Sequence, residues 1–433
     1  MELYFDRYDT IEAIKQLGLA WPFTHSESQL VPCGLKYTLS RIEGLKSNIK
    51  SGAISYGVIW HSVVENVLSK HLEEDRVLSY DELKICFEES YAEACVSLCE
   101  ENPLIQSEDL DDIRKRIDLA LPSWYRQWKL KIHPEYRVVA VEMALSRPIV
   151  DMAGKAYCPS MPCCLKETKE GAFLIPLSTS GLSPSCDFSI EGELKSQKSF
   201  YEIPFVKIGK VDCILQNRTD DSLWILDHKT SASPASYRTK LRFKTQLMAY
   251  GSLLRHCLKD KSHEIWKHLK GSPTIGGSIW DITTSKPYPP KYKSEKFVEV
   301  KRGFPPFAYV EENIGLDELS EQFISALKEN DESRFIMEFV YFGDNEMNRI
   351  DMEDYETAQQ IASLWQRAAG MPFRNIEMQN QIMKRYPLCE MYNSCQFDSN
   401  CGSNAHIADM LEERSKKLYW IAKSSSSFKK SEV

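Results

Sequence analysis

Several signatures are missing from this chain of 433 residues, and each absence closes off a class of function. No apolar run is long enough to span a membrane, and neither a signal peptide nor its cleavage site is evident. The expected compartment is therefore a reducing one, and the thirteen cysteines are not expected to form a disulfide framework. None of those cysteines falls in a Cys-x2-Cys pair, which excludes a zinc ribbon. No Walker motif is present, so no ATP-driven motor is built in. No internal repeat appears. An excess of positive charge is also lacking: 54 Lys and Arg face 62 Asp and Glu, for a net charge of −8. That balance argues against a passive basic coat on nucleic acid and makes local charge the relevant quantity. The apolar content of 42% is ordinary for a globular protein, and the length suits one large domain or two small ones.

Chemistry concentrates in two neighbouring segments. Gly209-Lys210-Val211-Asp212 sets a carboxylate in an apolar run, and Ile225-Leu226-Asp227-His228-Lys229-Thr230 ends another run on a second carboxylate. The polar stretch Gln216–Asp221 between them has the composition of a hairpin turn. The spacing predicts paired strands that bring Asp212 and Asp227 to one point. Lys229 follows Asp227 on the same strand face, because side chains repeat every two residues. Two hard oxygen anions and an ammonium suit a magnesium-bound phosphate and an attacking water. An Asp-x-Lys triplet alone is weak, and a solvated hairpin is the alternative. The joint pattern is stronger, since the apolar context explains neither carboxylate.

Two helices flank this hairpin. Ser55–Leu68 reads as amphipathic, with His61 and Glu65 four residues apart on one face and Val58, Val64 and Leu68 near the core. Leu241–Tyr250 reads as a second helix with Gln246 and Tyr250 at the same spacing. Taken alone, His61 is an ordinary half-buried histidine, and Gln246 and Tyr250 are packing residues.

In order, Gly57, His61 and Glu65, then Gly209 and Asp212, then Asp227 and Lys229, then Gln246 and Tyr250 resemble the motif series of the PD-(D/E)XK nuclease superfamily, in its RecB-like branch. The resemblance covers about residues 50 to 285. It implies an α/β fold, restriction-endonuclease-like, with a mixed sheet flanked by helices, a helical insertion and a periphery clamped by an Fe–S cluster. It implies metal-dependent hydrolysis of DNA phosphodiester bonds, by an exonuclease on single-stranded or resected ends. On this reading Asp212, Asp227, His61 and the main-chain carbonyl of His228 bind Mg²⁺ or Mn²⁺. Lys229 positions the water, and Gln246 and Tyr250 hold the active-site face. Glu65 and Glu142 stand behind the ligands; Glu142, in Val138–Met143, matches the acidic strand of the branch, although a solvent-facing glutamate is equally ordinary there. Arg238, Lys240, Arg242 and Lys244 are the DNA-binding candidates. A second cluster, Lys286 to Arg302 with Tyr288, Tyr292 and Phe297 interleaved, suits a single strand, or is simply a solvated loop. The resemblance admits a helicase or recombinase partner and a homo-oligomer, with no membrane, in the cytoplasm of a bacterial or phage-infected cell. A non-catalytic DNA-binding subunit and a zinc-stabilised interaction protein are the alternatives.

Cys389, Cys395 and Cys401 form Cys-x5-Cys-x5-Cys, and Cys33 stands alone near the other end. Four thiolates can close a zinc site or hold an iron–sulfur cluster. RecB-like nucleases with one cysteine before the core and three after it carry a 4Fe–4S cluster. The trio, following Arg374-Asn375, resembles phage-type members, and Cys33 with Lys36, Tyr37 and Ser40 resembles the leading element. Cys158, Cys163, Cys164 and Cys186 match no ligand pattern, and Cys86, Cys95 and Cys99 read as small core residues.

The expected layout is an N-terminal element over 1–50, a nuclease core over 51–285 and a C-terminal region over 286–433. The core includes a helical insertion at 71–135, with Leu119, Trp124, Tyr125 and Trp128 for packing, and an irregular insertion at 151–200. Strands are expected over 136–150, 203–230 and 274–282, and helices over 315–330 and 352–370. The tail from Arg414 is basic and serine-rich.

Overall fold

Apolar periodicity sets most of the elements. In a computed structural model of the chain the described residues are 20–42, 52–101, 105–168, 171–176, 199–241, 245–285 and 334–369. In chain order they form strand β1 (Trp21–Phe23), helices α1 (Gly52–Glu74), α2 (Tyr80–Glu101) and α3 (Ser107–Lys131), and strand β2 (Tyr136–Pro148). Strands β3 (Ser160–Thr168), β4 (Gly171–Pro176), β5 (Ser199–Glu202), β6 (Phe205–Asn217) and β7 (Leu223–Ser231) follow. Helices α4 (Pro234–Leu241) and α5 (Gln246–Cys257), strands β8 (Ile275–Thr284) and β9 (Phe335–Tyr341), and helix α6 (Asp344–Ala369) complete the series. No helix among the described residues is long and apolar enough to cross a membrane.

The chain gathers into two units, each drawn from separate stretches rather than laid end to end. One comprises Asn48–Leu145 and Lys210–Met347. Its sheet is mixed. β6 runs antiparallel to β7, β7 parallel to β8 and β8 antiparallel to β9, with β2 also paired to β6. Alternation along the strands divides the core into two layers. Cys213, Leu215, Trp224, Leu226 and Ile279 pack with α1, α2 and α3. Ile214, Leu223, Ile225, Trp280 and Ile282 pack with Leu241 of α4 and Leu247, Leu253 and Leu254 of α5. Helices thus cover both faces, the arrangement expected for this fold class. The helix register of α1 buries Tyr56, Ile59, Trp60, Val63, Val64, Val67 and Leu68. Val58, expected near the core, is instead 43% exposed, because it lies off that stripe. The helical insertion is the pair α2–α3, where Trp124, Tyr125 and Trp128 enter the core. Cys86 is buried there, but Cys95 is only half-buried and Cys99 is exposed, so the core reading of this trio fails at its outer end.

The other unit comprises Met1–Ser47, Ser146–Gly209 and Asn348–Val433. β1 pairs parallel with the start of β6, Trp21 opposite Phe205. The stretch expected to be irregular carries an antiparallel three-stranded sheet, in the order β4-β3-β5. Its proline, serine and cysteine content hid that strand character. Trp21, Phe23, Tyr37, Phe205 and Trp365 centre the core. Lys207 is fully buried, and its ammonium donates to Asp354 Oδ1 and Ser28 Oγ, both at 2.7 Å. Arg147 donates to the other oxygen of Asp354 at 2.6 Å and pairs with Asp351 at 3.0 Å, so two carboxylates face the two buried cations. The last helix begins at Asp344 rather than near 352. The expected helix over 315–330, the cluster Lys286–Arg302, Arg374-Asn375, Cys186 and the basic tail lie outside the described residues.

Candidate active site

Strand register brings the two aspartates together. Cys213 lies opposite Leu226 in the β6–β7 pair, which sets Asp212 beside Asp227 one step on. Asp212 Oδ2 accepts the amide N–H of His228 at 2.7 Å. Asp227 is buried; its Oδ1 accepts from Gln246 Nε2 at 3.0 Å, and the Lys229 ammonium lies against Oδ2. Gln246, at the first position of α5, also donates to the Tyr250 hydroxyl at 3.1 Å, one turn along. Lys229 sits over the Trp280 ring, 5.6 Å from its centroid, which fixes the amine beside the pair.

Helix α1 supplies the third side. A Cβ on Gly57 would stand 3.2 Å from Thr230 Oγ1, so glycine permits the helix to approach the end of β7. His61, one turn later, places Nδ1 3.6 Å from Asp212 Oδ2. Glu142 of β2 adopts φ 49°, a left-handed conformation that interrupts the strand pleat, and its carboxylate pairs with Lys210 at 2.5 Å.

Burial and like charges define the electrostatics. Burial raises the Glu65 pKa, and the Glu142 and Asp212 carboxylates push the same way. Burial also raises Glu142, against the opposing ammonium of Lys210. Asp227 is raised by burial, with Lys229 opposing and Asp212 adding to the shift. Burial works against the Lys229 ammonium, yet the Asp227 and Asp212 carboxylates outweigh it and its pKa rises. His61 is pushed down to about 4 by burial, then by the neighbouring His228 and Lys229, so its imidazole is neutral near pH 7. Burial, then Asp227, moves the Tyr250 phenol up to about 12.

Among the described residues no group of three or more His, Cys, Asp or Glu side chains is gathered tightly enough to hold an ion. The donor chemistry nevertheless fits a hard divalent cation. Asp212 and Asp227 are adjacent, and a neutral imidazole and the His228 carbonyl lie beside them, a donor set of hard oxygens and one nitrogen.

The remaining sequence candidates fall elsewhere. Arg238 is 56% exposed and pairs with Glu338 at 2.7 Å, so it is already engaged on α4 and β9. Lys240 lies on α4, while Arg242 and Lys244 are outside the described residues. Cys33 is a half-buried free thiol packed beside the aromatic core of its unit. Cys389, Cys395 and Cys401 lie outside the described residues. Three side chains at this site escaped the sequence reading: Asp281, Trp124 and the ring of His228. Asp281 Oδ2 lies 2.6 Å from both His228 Nδ1 and Trp124 Nε1. The signal was present, because Asp281 interrupts an apolar strand just as Asp212 and Asp227 do.

Residues 26–402 match the family model of the PD-(D/E)XK nuclease superfamily. No curated protein matches the chain.

Proposed function

The chain belongs to the PD-(D/E)XK nuclease superfamily, and from that premise we propose that it is a metal-dependent deoxyribonuclease of the RecB-like branch, acting as an exonuclease on single-stranded or resected DNA ends. One observation carries the reading: Asp212 and Asp227 adjoin on neighbouring strands with the Lys229 ammonium against Asp227. Asp212 and Asp227, with His61 and the His228 carbonyl, would hold Mg²⁺ or Mn²⁺. When bound, such an ion supplies Lewis-acid stabilisation of the charge that develops on phosphate. Lys229 orients the attacking water and shares in neutralising that charge. Water oxygen joins phosphorus, a phosphorus–oxygen ester bond breaks, and the departing oxygen takes up a proton. Gln246 keeps Asp227 aimed, and Tyr250 keeps Gln246 in place. The choice of exonuclease rests on the order of the RecB-like motifs.

We also propose that Cys33, Cys389, Cys395 and Cys401 bind a 4Fe–4S cluster. The family match extends across all four positions, and Cys33 is a free thiol.

The test compares circular and linear single-stranded DNA with wild type and Asp227→Ala. Wild type should degrade the linear form only, in the presence of Mg²⁺ or Mn²⁺, and the variant should degrade neither. Cleavage of the circle would replace the exonuclease with an endonuclease. Retained activity in the variant would remove the assigned site.

A further inference from the structure

Asp281 has no exposed surface and stands directly opposite His228 across the parallel β7–β8 pair. A carboxylate that deep calls for partners; among the described residues one oxygen, Oδ2, has two and Oδ1 has none. Its Oδ2 receives Trp124 Nε1 of α3 and the Nδ1 side of His228, each at 2.6 Å. The His228 ring meets Trp124 edge-on at 6.0 Å and His61 edge-on at 5.9 Å. Its main chain meets the catalytic side: the amide donates to Asp212 Oδ2 at 2.7 Å, and the carbonyl receives Lys229 Nζ at 3.4 Å. His228 therefore touches two of the three side chains assigned to the metal, Asp212 through its amide and His61 ring to ring, while Asp281 and Trp124 hold it from behind.

We propose that Asp281, braced by Trp124, is a positioning residue for the metal centre, fixing His228 so that its amide holds Asp212 and its ring abuts His61. This inference rests on the reading of Asp212, Asp227 and His61 as a divalent-cation site. The sheet ladder alone holds the strand; the buried Asp281–His228 contact sets the remaining freedom of that one residue. Partners behind metal ligands typically alter metal affinity by about 10–100-fold.

The experiment is Mn²⁺ titration of DNA-free protein, followed by the electron paramagnetic resonance of the free ion, with the melting temperature measured in parallel. Asp281→Asn should weaken Mn²⁺ binding about tenfold. Trp124→Phe, which keeps an aromatic ring and loses the N–H, should weaken it less. If Asp281 acts through His228, the double variant Asp281→Asn/His228→Gln should bind no worse than the weaker single variant. A lowered melting temperature with Mn²⁺ affinity within twofold of wild type would make Asp281 merely structural and overturn the inference. Additive losses in the double variant would also overturn it. Should Asp281→Asn fail to fold, Trp124→Phe decides by the same twofold criterion. Wild type that binds no Mn²⁺ would remove the metal-site reading itself, and the inference with it.

Discussion

Each oxygen of Asp227 has its own neighbour: Gln246 donates to Oδ1, and the Lys229 ammonium lies against Oδ2. A carboxylate so buried would favour protonation, and the ammonium two residues on keeps a counter-charge within contact. His61 reaches a compatible state by another route. Burial holds its imidazole neutral, leaving a nitrogen lone pair available near pH 7. The same physics acts away from the site at His71 of α1, whose ring packs against Tyr125, Trp128 and His133. Burial and the adjacent His133 lower its pKa to about 4, with Asp75 opposing and Arg76 adding. An unfolded histidine titrates near 6.5, so between these values the unfolded chain binds the extra proton. The His71 contribution is present above about pH 6.5 and is lost as pH falls towards about 4. Urea unfolding at pH 7 and pH 5 should therefore show a smaller loss of stability in His71→Gln than in wild type, by about 2 kcal/mol. Equal losses would mean that His71 is protonated in the fold.

Helix α1 is the element that closes the site, and Gly57 decides how near it comes to β7. Alanine there would gain about 1 kcal/mol in helix propensity, while its Cβ would press on Thr230 Oγ1 by a few tenths of an ångström. Valine adds two methyl groups at that point and has no such margin. Gly57→Val should lower the melting temperature by several degrees and reduce cleavage, while Gly57→Ala stays close to wild type in cleavage; calorimetry and a turnover assay check both. Unchanged cleavage in Gly57→Val would show that the approach of α1 is not set by this residue. Elements with a strong period were legible in the sequence. The strands bearing Asp212 and Asp227 and most of the stripe of α1 followed from apolar spacing; the helix expected over Leu241–Tyr250 instead begins at Gln246, with Leu241 ending the helix before it. What escaped depends on partners distant in sequence. Asp281 reads as one more carboxylate in a strand until Trp124, 157 positions away, is seen to donate to it. Strands β3–β5 lack the usual β-branched composition, and their pairing replaces the signal that propensity would have given. Val58 and Cys99 failed because a residue one step off a helical stripe faces solvent.

At the scale of the whole molecule, a net charge of −8 means that attraction for a polyanion has to be local. The acidic site residues contribute to that balance, and a bound divalent cation would change their sign of action on phosphate. A cluster held by Cys33 and the C-terminal trio would cross-link positions near both ends of the chain, an arrangement whose constraint on the unfolded state is large. Anaerobically purified wild type should be brown and contain iron and sulfide, and Cys395→Ala should lose both and melt at a lower temperature. Colourless, iron-free wild type would remove the cluster without touching the active-site account. That account is tested most directly by degradation of 5′- and 3′-end-labelled single-stranded DNA, with Mg²⁺ or Mn²⁺, by wild type and Lys229→Ala. Metal-dependent loss of label by wild type and none by the variant is the predicted result, and the label lost first gives the polarity. Equal degradation by both proteins, or none by wild type with either metal, would contradict it.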